Sequence, residues 1–287
     1  MLGGVEAGGT KVVVAVAEDP EAVVERVTIP TGSPREVLAS VRAFLDRFPV
    51  NALGIATFGP VELDASSAAY GEILDSPKRD WVGVNWITGL GWSAADAVAV
   101  ETDVGAAALA ERCFGAGLGV DDLAYVTVGT GVGVGVVANG DLVHGALHPE
   151  AGHLRVRRLP ADPFEGSCPF HGDCVEGLAS ATAIRARTGR EPAELSDDDP
   201  CWDAVEHALG ELVSSIAMML SSRRVVLGGG VLRRPRVLSG VRRRAETALR
   251  RYLTRPPFDD VHTFVQPAAL GQDAGLIGAL RLAELLS

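Results

Sequence analysis

The chain has 287 residues, too long for one small core and suited to two modest domains. Its residues are 47% hydrophobic but only 5% aromatic, so aliphatic side chains must fill the cores. A net charge of −11 argues against a nucleic-acid partner, and the arginine-rich stretch from Arg233 to Arg251 reads as a solvated helix face. The opening MLGGVEAGGTK lacks the basic and apolar regions of a secretory signal, and no apolar run is long and glycine-free enough to span a bilayer. A cytoplasmic protein without a membrane partner is expected. In that compartment a disulfide between Cys168 and Cys174 is the weaker reading of CPFHGDC.

Taken in chain order, Leu2 to Glu6 reads as a strand, AGGT as a turn and Lys11 to Ala17 as a second strand, with a third over Ala22 to Ile29. Pro34 opens a helix running through Phe48, with Val37, Val41, Phe44 and Leu45 on one face. Leu53 to Thr57 and Val98 to Glu101 read as strands, and Asp103 stands where a helix N-cap belongs. The pattern then restarts: LAYVTVGTGVGVGVVANG is strand, Gly-Thr turn, strand, Asn-Gly turn. Asp203 to Ser222 forms an amphipathic helix, SDDDP before it a surface loop. RRVVLGGGV is a short strand entering a glycine turn, followed by the arginine-rich helix. LGQDAGLIGALRLAELL closes the chain as a helix whose small residues permit close packing. Two such repeats predict two related α/β domains facing a cleft.

Glycine loops bind phosphate because backbone N–H groups can approach the anion without a Cβ in the way. GGVEAGGTK does not fit the Walker order, and GVGVVA at Gly133 is followed by an Asn-Gly turn rather than the helix of a dinucleotide fold. Both glycine loops read better as tight hairpins. As a matched pair, Gly8-Gly9-Thr10 and Gly129-Thr130-Gly131 make a phosphate clamp. Lysine usage is skewed: of 26 basic Lys and Arg residues only Lys11 and Lys78 are lysines, both in Gly- or Pro-rich loops where a compact ammonium could meet a phosphate or sugar.

The motifs EAGGTK, TDVGAAALAE, VGTGVG, HPEAGH, LGGGV and LGQDAGLIGA, in this order, resemble the ROK family of sugar kinases. Glu6 before AGGTK, with TFGPVELD, SPKRDW and CPFHGDC, resembles the bacterial fructokinase branch. The resemblance implies an α/β, two-domain actin-like ATPase fold, hexokinase-type and ribonuclease H-like, with an interdomain cleft. Residues 1–112 would form a small N-terminal domain, with helix 273–287 packing back on it, and residues 113–272 a larger domain with a zinc-binding loop. It implies ATP-dependent phosphorylation of a hexose 6-hydroxyl, fructose above all, in a homodimer that binds hexose and MgATP. Asp103 then matches the catalytic aspartate, whose carboxylate the helix dipole would keep ionised. Gly8, Gly9, Thr10, Lys11, Thr130 and Gly131 match phosphate-loop positions, and Gly229 and Gly230 the turn against which adenosine lies. Glu150, His153, Glu176 and Thr102 match sugar-site positions. Cys168, His171 and Cys174, with His153 from the preceding loop, would form a closed and therefore structural Zn²⁺ site, beside the Mg²⁺ that comes with ATP.

Two departures bear on activity: Glu6 stands where the family usually has Asp, and Gly105 where it has Asn. They leave open a kinase for mannose, glucose or an amino sugar, or a catalytically weak sugar-binding relative. The family's repressors carry a helix-turn-helix ahead of a strand that here starts at residue 2. His144, His148, His207 and His262 take no role in this reading, nor do Cys113 on a helix and Cys201 in a loop.

Overall fold

The computed structural model describes residues 1–93, 95–250 and 252–287, so Arg251 of the arginine-rich stretch lies outside the described residues. The chain divides into two units: Met1–Ala110 with Leu142–Pro149 and Gln272–Ser287, and Glu111–Asp141 with Glu150–Gly271. Residues 142–149 thus group with the first unit and residues 111–141 with the second.

The first unit is built on β1 (Leu2–Ala7), β2 (Lys11–Ala17), β3 (Val23–Pro30), β4 (Ala52–Thr57) and β5 (Val98–Thr102), in sheet order β3-β2-β1-β4-β5. β1 pairs antiparallel with β2 and parallel with β4, so one glycine hairpin sits at the middle of the sheet. Apart from Glu6 and Thr57, β1 and β4 are apolar on both faces because helices cover both. Helix α1 (Pro34–Leu45) buries Val37, Val41, Phe44 and Leu45, the face that its 3.6-residue spacing predicts, and it stops three residues short of the expected end. The short α2 (Trp86–Gly89) places Trp86 against Trp81, rings stacked 5.0 Å apart. The C-terminal helix Ala274–Glu284 packs on β1 and β4 with no room to spare. A Cβ on Gly54 would lie 1.8 Å from the Ala279 carbonyl, and one on Gly278 only 2.0 Å from that of Ala106. The small residues of LGQDAGLIGA are a packing requirement.

Helix α3 (Asp103–Phe114) leads from the first unit into the second. There β6 (Leu123–Val128), β7 (Val132–Ala138), β8 (Asp141–Leu142), β9 (Arg224–Gly228) and β10 (Val265–Pro267) form a sheet in order β10-β9-β6-β7-β8. β6 pairs antiparallel with β7 and parallel with β9, repeating the first unit's central pattern. GVGVVA lies within β7, and Asn139 and Gly140 after it take positive φ, as a tight hairpin turn requires. Helices α4 (Val175–Ala179), α5 (Ala181–Thr188), α6 (Cys201–Leu220), α7 (Pro235–Leu249) and α8 (Val261–Phe264) complete the unit. Cys201 opens α6 and is buried, rather than lying in a loop.

The arginine-rich helix is not merely a solvated face. Arg236 pairs with Asp203 and with Glu206, which Arg243 also reaches, and Glu206 is only 1% exposed. Gly240 makes this possible, since a Cβ there would come 1.9 Å from Cδ of Glu206. Arg242 donates to the Val265 carbonyl. The guanidinium forks bind α7 to its neighbours because a buried carboxylate must be paired. Among the described residues no helix is long and apolar enough to cross a membrane.

Candidate active site

In the first unit the glycine hairpin closes through Gly8 N–H on the Lys11 carbonyl, 2.9 Å. Thr31 at the end of β3 donates its N–H to the Thr10 carbonyl and its hydroxyl to that of Gly8. The loop's carbonyls are thus held from behind, while Gly9, Thr10 and Lys11 are exposed.

Asp103 starts α3, but the cap is Thr102. The Thr102 hydroxyl accepts the Gly105 N–H at 3.0 Å and donates to Glu101 at 2.9 Å. Asp103 is therefore the first helical residue rather than the N-cap, and its carboxylate accepts the Val104 N–H. Burial raises the Asp103 pKa to about 6, overcoming the Val104 hydrogen bond that lowers it. Desolvation wins over the helix terminus, so the group titrates just below neutrality, where a proton acceptor works best. Glu6 is raised further, to about 7, first by burial and then by the charge of Asp103, with Lys11 opposing. Two carboxylates that disfavour each other's charge, beside a phosphate-type loop, have the oxygen chemistry a divalent cation requires.

Gly105 has a physical cause. A Cβ there would lie 2.4 Å from Oε1 of Glu101. Glu101 is buried and accepts both the N–H and the hydroxyl of Thr102, while its other oxygen lies 2.7 Å from Nε2 of His144. That carboxylate raises the His144 pKa, favouring the imidazolium. An Asn at position 105 would not fit beside Glu101 in this rotamer. Sequence reading passed over both Glu101 and His144. The available signal was an acidic residue on a buried strand four positions ahead of the unexpected glycine.

In the second unit Gly129 N–H closes the hairpin on the Gly131 carbonyl, 2.9 Å, and the loop is fixed from outside by α5. Ala181 N–H donates to the Gly129 carbonyl, and the Thr182 hydroxyl to that of Thr130. Glu176 on α4 accepts the Val132 N–H at 3.1 Å, so a residue expected at the sugar is tied to the second phosphate-type loop. The turn Ala151–His153 approaches the same strand so closely that a Cβ on Gly152 would meet the Val132 carbonyl at 1.8 Å. Glu150 precedes that turn and is exposed.

His153, Cys168, His171 and Cys174 do come together, their ligand atoms all within 4.8 Å of one another. Nδ1 of His153 lies 3.7 Å from Sγ of Cys168 and 3.6 Å from that of Cys174, and Nδ1 of His171 lies 3.7 Å from Cys168. Tetrahedral zinc, with bonds of about 2.3 Å to sulfur and about 2.0 Å to nitrogen, sets S and N about 3.5 Å apart. The residues fit that ion. Burial pushes the Cys174 thiol up to about 11, so its thiolate form calls for a cation's field.

A cavity of about 650 Å³ opens beside the second loop, lined by Gly129, Thr130, Gly230, Trp202, Pro192 and Arg234 among others. Gly229 turns the chain into it at φ +91°, where a Cβ would strike the Val128 carbonyl at 2.4 Å. Arg234 lies 4.8 Å over the Trp202 ring, pairs with Asp197 and donates to the Leu195 carbonyl, giving the wall a fixed aromatic and polar surface. Sequence reading found the glycines of this cavity but gave Trp202, just ahead of the expected helix, no role and took Arg234 for part of a solvated helix face.

The ROK family model matches residues 2–285. A fructokinase of Zymomonas mobilis is 38% identical over 99% of this chain and 96% of its own, and a fructokinase of Pediococcus pentosaceus is 34% identical over 99% and 98%. A solved ROK family glucokinase from Streptomyces griseus, in complex with glucose and AMPPNP, matches with a TM-score of 0.74 at 25% identity, covering 99% of each chain. The two repeated hairpins, the Asp103 carboxylate and the His/Cys cluster thus lie in a chain that belongs to the ROK family of sugar kinases.

Proposed function

We propose that this protein is an ATP-dependent fructokinase that transfers the terminal phosphoryl group of ATP to the 6-hydroxyl of fructose. The observation that carries the reading is Asp103, a carboxylate whose pKa of about 6 suits it to take the hydroxyl proton at neutral pH. The relatives named fructokinase support the choice of sugar, and the glucokinase holding glucose and AMPPNP supports the two-substrate reaction. Glu150, His153 and Glu176 would bind sugar hydroxyls. Thr102 would act on the sugar through the Asp103 backbone, since its hydroxyl proton goes to Glu101. Gly8, Gly9, Thr10, Lys11, Thr130 and Gly131 would receive the phosphates, and the cavity bounded by Gly230, Trp202 and Arg234 the adenosine.

Glu6, whose charge interacts with Asp103 and Lys11, would hold the Mg²⁺ that comes with ATP and, when bound, neutralises phosphate charge. His153, Cys168, His171 and Cys174 would hold a structural zinc that fixes the turn bearing the sugar residues. The assembly implied by the family resemblance is a homodimer, which sedimentation at micromolar concentration tests. The deciding experiment is a coupled ADP-release assay with MgATP over fructose, mannose, glucose and amino sugars. Fructose with the highest kcat/KM supports the reading. Another preferred hexose would revise the substrate, and no turnover on any would leave a sugar-binding protein.

A further inference from the structure

The two lysines of this arginine-preferring chain stand 67 positions apart in sequence and meet at one loop. Lys11 ends the first glycine hairpin, and its charge acts on Glu6. Lys78 reaches the same hairpin from the segment before the turn Arg79–Trp81, where its N–H donates to the Ser76 hydroxyl. Its Nζ donates to the Gly9 carbonyl at 2.6 Å and sits 5.3 Å from the Phe58 ring centroid. Among the described residues Lys78 makes no ion pair. The ammonium has three N–H donors, and a peptide carbonyl and a ring face neutralise no charge. A guanidinium would extend a planar fork past the carbonyl, whereas an ammonium is a compact point charge with donors left to turn outward. Space for an anion exists beside it, because even a Cβ on Gly9 would come no nearer than 4.0 Å, to Cε of Lys78.

We infer that Lys78 is a further catalytic residue whose ammonium, anchored on Gly9 and Phe58, binds a non-bridging oxygen of the phosphoryl group in transfer. The inference rests on the kinase reading above. In the step, the bond from the terminal phosphorus to the bridging oxygen of ATP breaks, and that oxygen leaves as part of ADP with the bonding electron pair. A new bond forms from that phosphorus to the sugar 6-oxygen, whose proton passes to Asp103. Lys78 takes no part in the proton transfer. Its contribution is charge held ready on the reacting group rather than affinity for either substrate at rest.

A purely mechanical strap between Lys78 and Gly9 would also be a reason for the contact, and the test separates the two. Lys78→Gln keeps a donor for the Gly9 carbonyl but removes the charge, and Lys78→Met removes both. Each is assayed as the full chain for kcat, fructose KM and ATP affinity, with the thermal midpoint as the control for folding. The inference predicts that both lose about 10²–10³-fold in kcat, the cost of deleting one preorganised donor to developing charge. Fructose KM and the thermal midpoint stay near wild type, and a small primary ammonium ion restores part of the lost rate to Lys78→Ala. A Gln variant with wild-type kcat, or losses that follow the thermal midpoint without rescue, overturns it in favour of the strap. If the wild-type protein phosphorylates no hexose in the same assay, the kinase reading fails as well, an outcome distinct from an active wild type with active variants.

Discussion

The two glycine hairpins occupy the same place in their sheets, between antiparallel neighbours at the sheet centre, and have opposite surroundings. In the first, Gly9 is exposed and open, held from behind by Thr31 and from one side by Lys78. In the second, Gly131 is crowded: a Cβ there would lie 2.5 Å from Oε2 of Glu176, which also takes the Val132 N–H. The first loop is bordered by cations that can meet an anion, the second by the Glu176 carboxylate. Similar glycine hairpins are therefore surrounded by different chemistry, and what most distinguishes them is which distant side chain each one touches.

The largest effect should come from the first hairpin's neighbour Asp103. Asp103→Asn removes the proton acceptor without changing shape, and kcat should fall by about 10²–10⁴-fold with fructose and ATP binding retained. In the wild type, protonation inactivates the same group, so kcat/KM should drop as pH falls through about 6. Near-normal kcat in a folded Asn variant would remove Asp103 from the chemistry.

On the second side, Cys174→Ser breaks the ligand set next to the Glu176 helix. Metal analysis should show about one zinc per wild-type chain and less in the variant. Fructose KM should rise about tenfold or more, with a smaller change for ATP, since loss of a supporting ligand loosens the local loop first. Unchanged fructose KM in a zinc-depleted variant would separate the metal from the sugar residues.

The glycines sharpen the contrast directly. Gly131→Ala should raise the KM values of both substrates, because the new methyl must displace the Glu176 carboxylate. Gly9→Ala meets only open space and should leave fructose KM unchanged while weakening ATP modestly. Equal effects from the two substitutions would mean that the loops are equivalent after all.

The smallest effect concerns stability. Burial lifts the folded-state pKa of Glu6 to about 7 from an ordinary 4.5, so its contribution is fully present below about 4.5 and is lost as pH rises through about 7. Glu6→Gln should therefore raise the thermal midpoint at pH 8 relative to wild type and lose that advantage at pH 5. A scan at the two pH values checks the sign.

Much of this architecture was legible in the chain itself. Alternating and continuous apolar runs marked β1, β2, β4, β6 and β7, Pro34 and the Val37–Val41–Phe44 spacing marked α1, and small residues marked the close-packed C-terminal helix, because these signals are local and periodic. The Cys-x-x-His-x-x-Cys spacing likewise singled out three of the four clustered side chains, and the family motif supplied His153. What sequence could not decide were contacts between residues far apart in the chain, since no local pattern records them. Lys78 on Gly9, His144 on Glu101, Arg236 and Arg243 on Glu206, and Glu176 on Val132 all depend on how distant segments fold together. The helix cap moved to Thr102 and Gly105 gained its reason for the same cause: a buried Glu101 carboxylate had to be satisfied, and only the tertiary structure supplied its partners.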